Sequence, residues 1–379
     1  MSIERVVIII PTYNEAQVIE GTLTQVFHEL AKIKQFDLHV LVFDSASTDA
    51  TRTIISSLQT RYANLHLQTE PSKTGLGSAY HQAMRYALDH MQADIVFEFD
   101  ADLSHQPQYI APMLEKLKQH DVVVGSRYVR GGSIPSDWGW HRKCLSQLGN
   151  YIARALLTPK YKDFTSGFRA TRRTLLIQAL PQKFLSSQYA YKLQLFWNLH
   201  QCRARIAEYP IAFVDRKQGQ SKLPTNSILD AISVLLTLRF RVLKRFMMMC
   251  LVGVSGALIQ FLLYNLLRYY FSPMLSAQLA VAVAIINNFL LNNRFTFNNI
   301  RSRKQRFSAF AIFSGYSAGM IAVQGYWLHL GVAYFGSGAF KENMIMLAGI
   351  ALGSILNYMT YSQLVWRDGT LKKPRLFLG

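Results

Sequence analysis

The chain has 379 residues, with 41 Lys and Arg against 22 Asp and Glu, a formal charge of +19, and half of its residues are hydrophobic. That profile excludes a disordered polymer, a small disulfide scaffold and an acidic cytosolic enzyme, and the length predicts at least two domains. The charge is uneven: residues 1–125 hold 9 basic and 15 acidic side chains, 126–240 hold 18 and 5, and 241–379 hold 14 and 2. An acidic stretch followed by basic ones is the pattern of a metal site beside a polyanion or a membrane surface, with merely solvated charge as the alternative.

In chain order, the first apolar run is residues 6–10, preceded by Glu4 and Arg5 and closed by Pro11. It is too short for a signal-peptide core, so the N-terminal part is expected to stay unexported. It reads as a strand, followed by a helix from about Ala16, a strand at 40–43, a helix from Thr48 and a strand at 65–68. A helix at 77–91, a strand at 95–99, a helix from Pro107 and a strand at 122–124 complete the series. Such βαβ alternation predicts an open, mostly parallel sheet whose ligands bind beyond the carboxyl ends of the strands.

Further on, Leu145, Leu148, Tyr151, Ile152, Ala155 and Leu156 recur at helical spacing, flanked by Arg142, Lys143 and Arg154. This predicts an amphipathic helix suited to the headgroup level of a bilayer, with an ordinary core helix as the alternative. Residues 226–246 repeat the pattern. Four uncharged stretches follow, at 246–267, 269–293, 307–340 and 343–366. Each exceeds the roughly 20 residues that cross a bilayer as a helix, and small residues such as Gly253, Gly256, Gly315, Gly319 and Gly349 are expected to let the helices pack closely. Arg294, Arg301, Arg303, Lys304 and Arg306 between the second and third stretches, and Arg367, Lys372, Lys373 and Arg375 after the fourth, place both ends in the cytoplasm by the positive-inside rule. Cys144, Cys202 and Cys250 lie too far apart in sequence to suggest a zinc site or a disulfide framework.

The chemistry-bearing residues follow the strands. Pro11-Thr12-Tyr13-Asn14-Glu15 ends the first, Asp44-Ser45-Ala46-Ser47-Thr48-Asp49 the second, and Asp100-Ala101-Asp102-Leu103-Ser104-His105 the fourth. Two carboxylates two residues apart can hold a hard divalent cation from one side and leave its other positions to phosphate oxygens and water; a solvated acidic turn is the alternative. Arg142 and Ser146, four apart, share a helical face and can bind one phosphate together.

With Gly75-Leu76-Gly77-Ser78-Ala79-Tyr80, Gly125-Ser126-Arg127-Tyr128, Asp163-Phe164-Thr165-Ser166-Gly167-Phe168-Arg169 and Arg216-Lys217-Gln218-Gly219-Gln220-Ser221-Lys222, these motifs resemble the family 2 glycosyltransferases of the GT-A fold. Within them, residues 5–225 look most like the polyprenyl-phosphate mannosyltransferases, the dolichol-phosphate mannose synthase group. Residues 245–379, with Asn292-Asn293-Arg294-Phe295-Thr296-Phe297, resemble the GtrA-type four-helix membrane domain. The resemblance implies an α/β, Rossmann-like GT-A domain over 1–225, an interfacial linker helix over 226–245 and an all-α domain of four transmembrane helices over 246–379. It also implies an integral, multi-pass protein of the cell (inner) membrane.

The same resemblance assigns roles. Asp100, Asp102 and Ser104 are expected to hold Mg2+ or Mn2+, and Asp100, Asp102 and Arg127 to form the catalytic set. Pro11, Tyr13, Glu15, Asp44 and Ala101 are expected against the donor, with Arg216 and Lys222 as cationic partners. Arg127, Arg142 and Ser146 are expected at the acceptor phosphate. Asp44 stands where the family usually has an acidic pair, which leaves the base open, and both Asp44 and Asp163 also read as structural. The implied partners are GDP-mannose and a dolichyl or undecaprenyl monophosphate, with no nucleic acid. A lipid monophosphate, its second pKa about 6, needs no strong general base, and attack opposite the leaving group inverts the anomeric centre. The alternative donor is UDP-glucose or another nucleotide-sugar. The alternative of another class is a lipid-linked sugar translocator or scaffold with an inactive transferase domain. Processive polysaccharide synthesis is disfavoured because Q-x-x-R-W does not occur.

Overall fold

The computed structural model describes residues 3–215, 226–297, 303–336 and 339–365. The chain divides into two compact units, Met1–Arg239 and Phe240–Gly379.

In the first unit, β1 (Arg5–Thr12), β2 (Asp37–Asp44), β3 (Leu65–Thr69), β4 (Ile95–Glu98) and β5 (Val122–Ser126) occupy the runs that predicted strands. Val6 to Ile10 are fully buried, as are Val40 to Val42 and Val122 to Val124. Helices α1 (Ile19–Leu30), α2 (Thr51–Gln59), α3 (Leu76–Asp89) and α4 (Ile110–Leu117) alternate with these strands, and coverage of both sheet faces is why the runs are continuous rather than alternating. After α5 (Trp140–Leu156) come two strands absent from the sequence reading, β6 (Arg169–Arg172) and β7 (Ile206–Pro210), separated by α6 (Arg173–Ala179) and α7 (Tyr191–Gln201).

The seven strands lie in the order β3-β2-β1-β4-β6-β5-β7. All pairings are parallel except those of β6, which runs antiparallel to both β4 and β5. The chain moves outward from β1 to β2 and β3, then returns to the other side of β1 as β4. That reversal makes the carboxyl ends of β1 and β4 a topological switch point, where an open α/β sheet binds its ligand.

Each loop leaving β1, β2 and β4 contains one non-glycine residue in the left-handed region: Asn14 (φ 51°), Ala46 (φ 57°) and Leu103 (φ 57°). Such conformations are uncommon outside glycine and gather at functional sites. Gly75, at φ 108° before α3, has no freedom to carry a side chain, because a Cβ there would fall on the Ser187 carbonyl oxygen.

Beyond residue 226, α8 (Ser227–Leu267) is one continuous helix of 41 residues. The expected linker and first span are thus one element, since neither Gly nor Pro interrupts residues 227–252. Among the described residues it is the one helix long and apolar enough to cross a membrane, with mean hydropathy 2.1 in its most apolar window. The other uncharged stretches carry α9 (Pro273–Leu291), α10 (Arg303–Phe335) and α11 (Ala339–Thr360). The second unit has its own cluster of Met249, Phe289, Phe297, Ala309, Phe313, Tyr361 and Val365. Gly256 packs against the Asn288 side chain and Gly349 against Trp327, whereas among the described residues nothing lies within 4 Å of where a Cβ would stand on Gly253, Gly315 or Gly319. Among the described residues, Gly256 and Gly349 are the expected small residues seen at helix contacts.

Candidate active site

Parallel pairing of β1 with β2 sets Thr12 opposite Asp44 and brings their loops together. The Asp44 carboxylate is fully buried. It accepts hydrogen bonds from Thr12 Oγ1 (3.1 Å), the Ser47 amide (3.0 Å) and Ser47 Oγ (2.5 Å). Ser47 Oγ in turn accepts from the Asn14 amide (2.9 Å), Asn14 Oδ1 from the Thr48 amide (2.8 Å), and Thr51 Oγ1 from the Glu15 amide (2.9 Å). Tyr13 and Glu15 therefore stand on a loop fixed by its neighbour, just beyond Pro11 near the end of β1, with Lys73 Nζ 3.6 Å above the Tyr13 ring.

At the end of β4, Asp100 remains a quarter exposed. Tyr80 of α3 donates to its Oδ1 (3.2 Å), and its Oδ2 lies 3.4 Å from His105 Nδ1 and 3.7 Å from Lys192 Nζ. Asp102 accepts from the Ser104 amide (3.0 Å), and the Ala101 carbonyl from Thr22 Oγ1 (2.7 Å). Ser104 is buried. The His105 ring stacks on Phe168 at 5.0 Å. Burial pushes its pKa down to about 4 against the opposing pull of Asp100, so the ring is neutral near pH 7.

Arg127 leaves β5 and binds Asp163 through Nε (2.8 Å) and Nη2 (2.7 Å), and Thr165 Oγ1 through Nη2 (2.7 Å). Burial works against the Asp163 carboxylate, yet the Arg127 charge and hydrogen bonds outweigh it and hold its pKa below the ordinary range. This cluster anchors α5: Tyr128 OH meets Ser146 Oγ at 2.6 Å, and Asn150 Nδ2 donates to Thr165 Oγ1 at 3.2 Å. Arg142, half exposed, makes two hydrogen bonds to Asp215 (2.7 and 3.1 Å) with its guanidinium 3.9 Å from the Trp138 ring centre. Away from that anchor, Trp140, Leu145, Leu148 and Tyr151 are exposed. The structure thus gathers the D-x-D with Ala101 and Ser104 at one strand end, and Arg127 and Ser146 around Asp163 and Thr165. Arg216 and Lys222 lie outside the described residues.

Residues 7–180 match the family described as glycosyl transferase family 2, and residues 248–366 match the GtrA/DPMS transmembrane domain. The chain is 32% identical over 231 residues to the polyprenol monophosphomannose synthase of Mycolicibacterium smegmatis, covering 60% of this chain and 84% of that one. The chain belongs to glycosyl transferase family 2. This glycosyltransferase is also 33% identical over 228 residues to the undecaprenyl-phosphate mannosyltransferase of Micrococcus luteus, covering 60% of this chain and 91% of that one. Among solved structures it is similar to glucosyl-3-phosphoglycerate synthase from Mycobacterium tuberculosis in complex with Mn2+, uridine-diphosphate and glucosyl-3-phosphoglycerate. There the TM-score is 0.43 at 18% identity, over 62% of this chain and 80% of that one.

Sequence reasoning about the glycosyltransferase assigned no role to Tyr80 and Lys192, which stand beside Asp100, or to Asp215, which pairs with Arg142. It also missed a fully buried pair beneath Asp100, in which Arg169 binds Glu98 at 2.6 and 2.9 Å and Tyr191 OH adds a third contact at 3.0 Å. A signal for Lys192 does exist: it is a lone cation in Tyr191-Lys192-Leu193-Gln194-Leu195-Phe196-Trp197, a segment otherwise composed for burial.

Proposed function

We propose that this glycosyltransferase moves a mannosyl residue from GDP-mannose to a polyprenyl monophosphate, with inversion, at the cytoplasmic face of the cell membrane, which α8 to α11 cross as four helices. The observation that carries the reading is the joining, within one unit, of the D-x-D at the switch point to α5, a helix with an uncovered apolar face. Trp140 is 78% exposed and Tyr151 67%. Aromatic side chains so placed, beside Arg142, Lys143 and Arg154, suit the headgroup level of a bilayer, where a lipid phosphate would be met. The names of the two relatives support the sugar and the lipid class, and the basic residues after α9 and α11 support the orientation.

Asp100 and Asp102 fit a hard divalent cation. Tyr80 and the Ser104 amide orient the two carboxylates, and Asp100 is open to solvent on one side. Among the described residues no three His, Cys, Asp or Glu side chains gather to hold a metal by themselves. That suits Mg2+ or Mn2+, which are commonly bound through one or two carboxylates plus substrate phosphates. Bound by Asp100 and Asp102 with Ser104, the ion supplies positive charge to the departing diphosphate.

The rest is done by the chain. Pro11, Tyr13, Glu15 and Ala101 line the donor side, and Asp44 serves it by holding Ser47 and the neighbouring loop in place. Arg216 and Lys222 add cationic contacts to the diphosphate. Arg127, oriented by Asp163, and Arg142, held beneath Trp138 by Asp215, present their remaining N–H groups to the acceptor phosphate with Ser146. The already anionic phosphate then needs only to be positioned for attack.

Loss of a charged hydrogen bond to the lipid phosphate weakens binding by about 10- to 100-fold. Arg142→Ala is therefore expected to raise the apparent KM for lipid by that factor and to leave the donor KM little changed, as read from initial rates. Equal rises in both would remove its acceptor role. The reading as a whole is tested by incubating detergent-solubilised protein with polyprenyl phosphate, Mn2+ or Mg2+, and labelled GDP-mannose beside UDP-glucose. The expected result is label from GDP-mannose in the organic phase, abolished by EDTA. Label from UDP-glucose alone would change the sugar and keep the mechanism, and none from either would favour a translocator or scaffold.

A further inference from the structure

We propose that Lys192 is a further donor-site residue, its ammonium binding a phosphate oxygen of the nucleoside diphosphate beside Asp100. The inference rests on the reading of the D-x-D as the diphosphate site. Lys192 stands in the first turn of α7, where the helix dipole disfavours a cation, and its side chain is only 8% exposed. Burying an ammonium is costly unless it is paired and its N–H groups are bonded. Its compensation here is incomplete. Asp100 Oδ2, at 3.7 Å, is an ion-pair partner beyond hydrogen-bond reach, and Tyr189 offers a ring centre at 5.7 Å. Among the described residues Lys192 Nζ makes no hydrogen bond, and the neighbouring acid, Glu98, is already taken by Arg169 and Tyr191.

The backbone makes room for this cation. A Cβ on Gly167 would fall on Lys192 Nζ, so the glycine keeps open the space in which the ammonium sits. Three N–H donors beside a carboxylate proposed to share the diphosphate's metal have one natural acceptor, a diphosphate oxygen. Lys192 supplies there a fixed positive charge that needs no metal.

The test is calorimetric titration of the full-length protein in detergent with GDP and with UDP, each in EDTA and in Mn2+. The proteins are wild type, Lys192→Met, Gly167→Ala and Asp102→Ala. Lys192→Met keeps length and volume without charge, and Gly167→Ala displaces the ammonium without removing it; thermal melting confirms that each is folded. Affinity for the better-bound nucleotide should fall about 10- to 100-fold in Lys192→Met in both EDTA and Mn2+, and in the same direction in Gly167→Ala. Asp102→Ala should lose only the enhancement given by Mn2+. Unchanged nucleotide affinity in folded Lys192→Met would overturn the proposal. An Asp102→Ala protein that keeps its Mn2+ enhancement would instead sink the metal reading, and a preference for UDP would sink the donor reading, each leaving the Lys192 result to stand by itself.

Discussion

Asp102→Ala is expected to lower kcat for transfer by about 10³-fold or more while leaving the protein folded. The metal's share of charge stabilisation in such sites is several kcal/mol, and each 1.4 kcal/mol is about tenfold in rate. The fold should survive because Asp102 is partly exposed on a strand-end loop, and the hydrogen bond that it accepts from the Ser104 amide is local. The measurement pairs a single-turnover assay with far-UV circular dichroism and a melting curve. Turnover retained within tenfold of wild type would withdraw Asp102 from the metal, whereas a collapsed melting curve would recast it as a structural residue like the buried Asp44.

The second large effect is expected on stability. Arg169 and Glu98 are cross-strand neighbours on β6 and β4, with side chains 0% and 2% exposed. Removing one partner strands the other charge in the core, which costs about 3–5 kcal/mol, while replacing both with apolar side chains of similar volume is often close to neutral. Arg169→Met should therefore lower the melting temperature sharply, and adding Glu98→Leu should restore much of it, although the Tyr191 hydroxyl then loses its acceptor. A double variant as unstable as the sum of its single changes would mean that the two side chains act independently, with no stranded charge for the second substitution to relieve.

Because Glu98 lies two residues before Asp100, the pair also bears on the site. It was invisible in the sequence. Strands β1, β2, β4 and β5 could be read because each holds a run of buried apolar side chains, and β3 from its Leu65 and Leu67; β6, Arg169-Ala170-Thr171-Arg172, is polar in composition, and its Arg169 is buried against Glu98 of β4. The strand-end loops were legible because position after a strand, rather than any side-chain contact, defines them. What the sequence could not supply were the partnerships. Arg142 with Asp215, Ser146 with Tyr128 and Lys192 with Asp100 join residues 73, 18 and 92 positions apart. The division between linker and first span at residue 245 followed a change in composition, but helix continuity depends on backbone, and nothing in 227–252 breaks it.

The reversed direction of β6 decides what can meet at the rim of the sheet. A parallel strand delivers its following loop to the carboxyl end and keeps its preceding segment at the other, about 13 Å away for four residues. An antiparallel strand is entered from the rim the others leave. Residues 163–168 thus arrive where the loops after β4 and β5 depart, which lets Asp163 receive Arg127 and lets Gly167 lie against Lys192. Had β6 run with its neighbours, both contacts would be out of reach, and the residues proposed for acceptor and donor would have no shared wall.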